Sequence, residues 1–168
     1  MSECFFARSA KIWGSAEYNS SLTIEQNVHK SLKALLEGLT IGEKIKLDGF
    51  LFEVSLYSFF GGKNNYHAKV RGKEFGDSLE SFGETVRRIL TAISDHDPEC
   101  DHSMDSDLID RRGWRYMFNG QGIFVTCFGP CYGSDNARYS YDQRESVFVL
   151  IQPHFSFTIH DIGKNIVI

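Results

Sequence analysis

The first strong pattern in the chain begins at Thr23. Ile24, Val28, Leu32, Leu35, Leu36 and Leu39 recur at helical spacing along one face, and Thr23-Ile24-Glu25-Gln26 has the form of a capping box, so an amphipathic helix is predicted over about 23–39. Gly42 marks its expected exit. Lys44–Leu47 then leads into Asp48-Gly49, a dipeptide suited to a two-residue hairpin, and Phe50, Phe52, Val54 and Leu56 alternate with Leu51, Glu53, Ser55 and Tyr57 beyond it. This predicts a strand pair across Asp48-Gly49. The turn-rich stretch Phe59–Asn65 separates the second strand from a third, antiparallel one at Tyr66–Arg71.

A second helix is predicted over about 82–94, from a capping box at Ser81 and Glu84 and from Val86, Ile89, Leu90 and Ile93; Asp95-His96-Asp97-Pro98 stops it. From Pro98 to Arg112 the chain is acidic and aperiodic, as a surface loop is. Trp114–Phe118 and Ile123–Phe128 flank Asn119-Gly120-Gln121-Gly122, which predicts a second hairpin with a slightly longer loop. Gly129–Tyr141 reads as an irregular polar connection. Ser146–Ile151 is an almost continuous apolar run, short enough to be a strand buried on both faces. Neither helix is placed for a regular βαβ crossover and no repeat occurs. The expectation is therefore a single α+β domain over 1–168, an antiparallel sheet of about five or six strands with two main helices packed on it.

Composition narrows the class. Fourteen Phe and seven Tyr favour pleated, half-buried surfaces, and 42% hydrophobic against 24% charged residues suits a globular chain. The net charge of −4 comes without a concentrated basic footprint, so no nucleic-acid partner is expected. The sequence has no apolar run of membrane-spanning length and no signal-peptide pattern at its start, so no membrane is expected and the cytoplasm is the expected compartment. There Cys4, Cys100, Cys127 and Cys131 would be reduced thiols; a Cys127–Cys131 disulfide is the alternative.

Trp114-Arg115-Tyr116-Met117-Phe118-Asn119-Gly120-Gln121-Gly122-Ile123-Phe124-Val125, then Cys127-Phe128-Gly129-Pro130, Ala137-Arg138-Tyr139 and Val147–Pro153 with Phe155 and Phe157, follow a characteristic order. An aromatic strand, a tight turn, a strand ending near a proline, an arginine in a polar loop and an apolar strand succeed one another. In this order the chain resembles the YqcI/YcgG family over roughly residues 75 to 160. The resemblance implies haem as a cofactor and, as in some members, hydroxylation of a guanidine or amine nitrogen of a small arginine-like substrate. Members commonly carry a histidine immediately before the proline of the strand-ending turn, where this chain has Gly129.

A haem site needs an axial donor in an apolar pocket. His154, His160, Cys131 and Cys127 are the candidates, and the even spacing of the histidines would place both on one face of a continuing strand, with His160 ahead of His154. Cys127 is in register with Ile123 and Val125 and is expected in the core, whereas Cys131 sits in a loop. Arg138 and Tyr139 could hold a carboxylate or a haem propionate. His96, Cys100 and His102, with Asp97 and Asp101, form the densest group of potential metal ligands, although their spacing matches no standard zinc pattern. The acids between Asp95 and Asp110 support a different class, a non-catalytic immunity or inhibitor-type protein that presents an acidic surface to a basic protein partner.

Overall fold

The structure is a computed structural model that describes residues 11–46, 48–55, 57–61, 67–71, 75–140 and 146–159. The strands are β1 (Ile12–Gly14), β2 (Gly49–Ser55), β3 (Tyr57–Gly61), β4 (His67–Arg71), β5 (Tyr116–Phe118), β6 (Gln121–Phe128) and β7 (Ser146–Pro153); the helices are α1 (Ile24–Ile45), α2 (Leu79–Ser94), α3 (Ser106–Ile109) and α4 (His154–Ile159). One sheet has the order β1-β2-β7-β6-β5, and β3 with β4 forms a separate two-stranded ribbon. The fold is α+β. Its sheet has four antiparallel strands, to which the short β1 adds in parallel beside β2, fewer than the five or six antiparallel strands expected.

The strand register puts one apolar face together. Phe50 lies opposite Ile151, Phe52 opposite Val149 and Tyr116 opposite Ile123, and paired residues of an antiparallel ladder share a face. All six are buried, and they pack against Ile24, Val28, Leu32 and Leu35 of α1 and Phe82, Ile89 and Ile93 of α2. Burying a side chain of this kind contributes about 1.5–3 kcal/mol, so this layer holds the fold. Bidentate hydrogen bonds from Arg88 to Glu25, 2.7 and 3.0 Å long, tie the two helices together at the surface.

Helix α1 starts as predicted. Thr23 accepts the Gln26 backbone N–H at 3.2 Å, and Gln26 accepts the Thr23 N–H at 2.9 Å. It then continues through Gly42 and ends only at Lys46, whose φ of 58° is left-handed. Two local readings are thereby corrected. Lys44 and Ile45 are helical, so no hairpin forms at Asp48-Gly49: the buried Asp48 accepts the Lys11 backbone N–H at 2.6 Å and donates its own N–H to the Lys11 carbonyl, drawing β1 alongside β2. The partners of β2 are thus β1 and β7. Helix α2 is capped at Ser78 by reciprocal bonds with Ser81, one turn before the expected Ser81–Glu84 box. Strand β4 occurs where the sequence predicts it and pairs with Tyr57–Gly61, so Phe59–Gly61 is strand rather than turn. No helix among the described residues is long and apolar enough to cross a membrane.

Candidate functional site

Strand β5 has only three residues, and its pairing with β6 runs from Phe118↔Gln121 to Tyr116↔Ile123 and stops. The turn between them is tighter than expected. Asn119 and Gly120 have φ of 52° and 67°, the left-handed pair of a two-residue hairpin turn, which Asn-Gly tolerates well. Beyond Ile123 the outer edge of β6 has no partner from β5. The space there is a cleft of about 500 Å³, lined by Leu90, Trp114, Arg115, Tyr116, Ile123, Phe124, Val125 and His154.

Hydrogen bonds fix its aromatic walls. Trp114 Nε1 donates to the Ser103 carbonyl at 2.8 Å, and the buried Tyr116 hydroxyl donates to the Leu90 carbonyl at 2.7 Å. Burial pushes the Tyr116 phenol far above its ordinary range, with Asp97 and Asp95 adding to the effect. Ser103 in turn both donates to and accepts from the Met117 backbone, so the acidic loop stands in for a further strand beside β5. Asp97 organises that loop: its carboxylate accepts the backbone N–H groups of Glu99, Asp101 and Asn119. Trp114 and Phe124 remain 38% and 47% exposed, which is much apolar surface to leave wet beside one cleft.

His154 reaches the cleft because β7 ends at Pro153, opposite Ile123, and α4 begins at the next residue. Its ring lies against Gly122, where an added Cβ would come within 3.2 Å of Nδ1 and Cε1. Nε2 is therefore the ring nitrogen farther from that strand. Phe157, three residues on along α4, meets the His154 ring edge-on at 6.4 Å and the Phe124 ring at 5.7 Å.

The other end of β6 is closed. Gly129 is bridged to Tyr139 and its N–H donates to the Arg138 carbonyl, while the Arg138 guanidinium lies 5.9 Å from the centre of the Phe128 ring. Cys127 and Cys131 are half-buried free thiols packed against the core, in keeping with the core expectation for Cys127. Burial raises the Cys127 thiol to about 11 and also raises Cys131, so neither is poised as a thiolate. Gly129 itself is buried, and a Cβ there would come within 2.6 Å of the Phe82 ring. No side chain fits at that position while Phe82 stays in place.

The sequence candidates are thus divided. His154 lies at the Gly122 end of β6, and Cys131, Arg138 and Tyr139 lie at the Phe128 end, roughly 20 Å away at about 3.3 Å per residue. His160 lies outside the described residues. His96, Cys100 and His102 do not converge: Cys100 and His102 are exposed with φ of 55° and 46°, and His96 bonds through Nδ1 to the Ala92 carbonyl. Among the described residues no three His, Cys, Asp or Glu side chains are grouped to hold a metal ion. The residue that sequence reasoning missed is Arg115. Its signal stands in Arg111-Arg112-Gly113-Trp114-Arg115, where three arginines flank a tryptophan; together with Asp101, Ser103 and Leu108 they line a second cleft of about 270 Å³ that shares Trp114 and Arg115 with the first.

These features define an α+β domain with an aromatic, histidine-bearing cleft where β5 stops pairing with β6. The model of the YqcI/YcgG family matches residues 3–164, nearly the whole chain, and the chain belongs to that family. Comparisons with curated proteins and with solved structures returned no match.

Proposed function

We propose that this family member binds haem in the His154 cleft and hydroxylates a guanidine or amine nitrogen of a small substrate. The observation that carries the reading is that the His154 imidazole lines the same cleft as Trp114, Tyr116, Ile123, Phe124 and Val125, with Arg115 beside it. A haem pocket asks for one axial donor among apolar and aromatic side chains, and this donor set fits it. The cleft volume is also in the range of small-molecule sites. Among the described candidates His154 is the donor of choice because the others are committed: the Tyr116 hydroxyl to the Leu90 carbonyl, Cys127 and Cys131 to half-buried positions that disfavour the thiolate.

When bound, haem supplies the activation of dioxygen. The remaining work falls to the chain. His154 offers Nε2 while Gly122 supports its Nδ1 side. Arg115 presents a planar fork suited to a propionate or to the carboxylate of a substrate. Trp114 and Phe124 are the exposed apolar rings that a planar ligand would cover and dry.

The test combines a spectrum with turnover. Purified protein supplemented with haem is expected to show a stoichiometric Soret band; given a reductant and dioxygen, it should add one oxygen atom to a member of a guanidine and amine panel, read as a mass gain. Arg115→Ala should keep the band and weaken substrate binding. A protein that stays colourless in excess haem overturns the reading. The second reading, an acidic docking protein, then takes its place, supported by Glu99, Asp101, Asp105, Asp107 and Asp110, all exposed and free of ion pairs within the described residues.

A further inference from the structure

His96 has a neighbour that its sequence surroundings do not suggest. It stands just past the end of α2, and across the helix pair His29 of α1 brings its Nδ1 to 3.3 Å from His96 Nε2, with the ring centroids 5.0 Å apart. Two readings of this contact differ in geometry. A straight N–H···N hydrogen bond of that length would hold the centroids about 5.6 Å apart. Two imidazole nitrogens on one tetrahedral ion at about 2.05 Å lie about 3.3 Å apart, with centroids about 5.2 Å apart. At 5.0 Å the observed pair is bent, nearer the convergent value than the straight one, and both nitrogens face the same gap between the helices. The other nitrogen of His96 points the same way: Nδ1 donates to the Ala92 carbonyl at 2.8 Å, which leaves the lone pair on Nε2 and orients the ring, as a backbone carbonyl commonly does for a metal-bound histidine.

The geometry points to a two-histidine site, His29 Nδ1 and His96 Nε2, for a divalent transition ion of the zinc, nickel or copper class, with water completing the coordination. Neither ring needs to move far to take the ion. The Arg88–Glu25 clamp fixes the crossing of the same two helices, so the ligands are held before metal arrives. Binding there staples α1 to α2 and stabilises the folded chain, because the unfolded chain does not hold the two rings together. This site is separate from the His154 cleft and does not depend on haem.

Tag-free full-length protein, stripped with a chelator, is titrated with zinc or nickel alone while heat and thermal unfolding are recorded. One ion per chain is expected, with Tm raised by roughly 5–10 °C when free metal is about a hundredfold above Kd. His29→Ala, an exposed helical position where alanine is well tolerated, should abolish both the heat and the shift, and His96→Gln should do the same. His102→Ala and Cys100→Ser should leave both unchanged. No shift in the parent protein, or an undiminished shift in His29→Ala, overturns the assignment.

Discussion

The two ends of β6 start from the same sheet and differ in what lies against them. At the Gly122 end the partner strand stops after three residues, a tight Asn119-Gly120 turn brings β5 back, and an imidazole lies on the glycine. At the Gly129 end the Phe82 ring occupies the space that a side chain would need, and the polar loop bridges back through Tyr139. One end is open and aromatic, the other packed. The difference teaches that a strand's chemistry is set less by its own residues than by where its partners give out.

The largest stability effect is expected at the closed end. Phe82→Ala removes a buried ring that also meets Tyr132 edge-on at 5.4 Å, and should cost about 3–5 kcal/mol in chemical denaturation. Asp97→Ala comes next. It strands three backbone N–H groups, one of them in the Asn119 turn, and should cost about 2–3 kcal/mol while loosening the Trp114 wall of the open cleft, read by tryptophan fluorescence. Gly129→Ala adds only a methyl group, but into the Phe82 ring, so about 1–3 kcal/mol is expected; pairing it with Phe82→Leu should recover part of that loss. An additive double mutant would break the claim that Phe82 closes this end.

The smallest effect lies away from both ends. The hydrogen-bonded Arg88 guanidinium holds the Glu25 carboxyl at about 2, below its ordinary 4.5. A carboxylate with a depressed folded value contributes stability above its unfolded value, and this contribution fades as pH falls from about 4.5 through about 2. Because both side chains are more than a third exposed, Glu25→Gln should cost only about 0.5–1 kcal/mol at neutral pH and nothing below pH ~2. A pH-independent difference between the two proteins would contradict this.

Much of the fold was legible because it is local. The apolar stripe from Ile24, the hairpin around Asn119-Gly120-Gln121-Gly122 and the apolar run into β7 each carry their own pattern, and each element is present, the hairpin with a tighter turn than the four residues suggest. What escaped is decided by distant residues. Asp48-Gly49 has hairpin chemistry, but Lys11 takes the Asp48 carboxylate and turns the dipeptide into a parallel edge. Gly42 does not end α1, since the helix finds its left-handed stop at Lys46 instead. The candidate site divides in the same way. His154 was legible as a donor next to an apolar strand, yet only the end of β7 opposite Ile123 delivers it to a cleft. Arg138 stands in a polar loop whose composition suits an anion, yet it lies over Phe128 at the closed end while Arg115 lines the cleft. His96 was grouped with its sequence neighbours; its partner lies 67 residues earlier in the chain, at His29.

The central claim of the proposed function is that, of the two ends of β6, the His154 end is the one that binds haem. Its most direct test is a haem titration followed at the Soret band on three variants in parallel: His154→Ala, Cys131→Ala and Arg138→Ala. The account predicts that His154→Ala loses the band while Cys131→Ala and Arg138→Ala retain it at full stoichiometry. A band that survives His154→Ala and disappears with Cys131→Ala would put the site at the closed end and contradict the account.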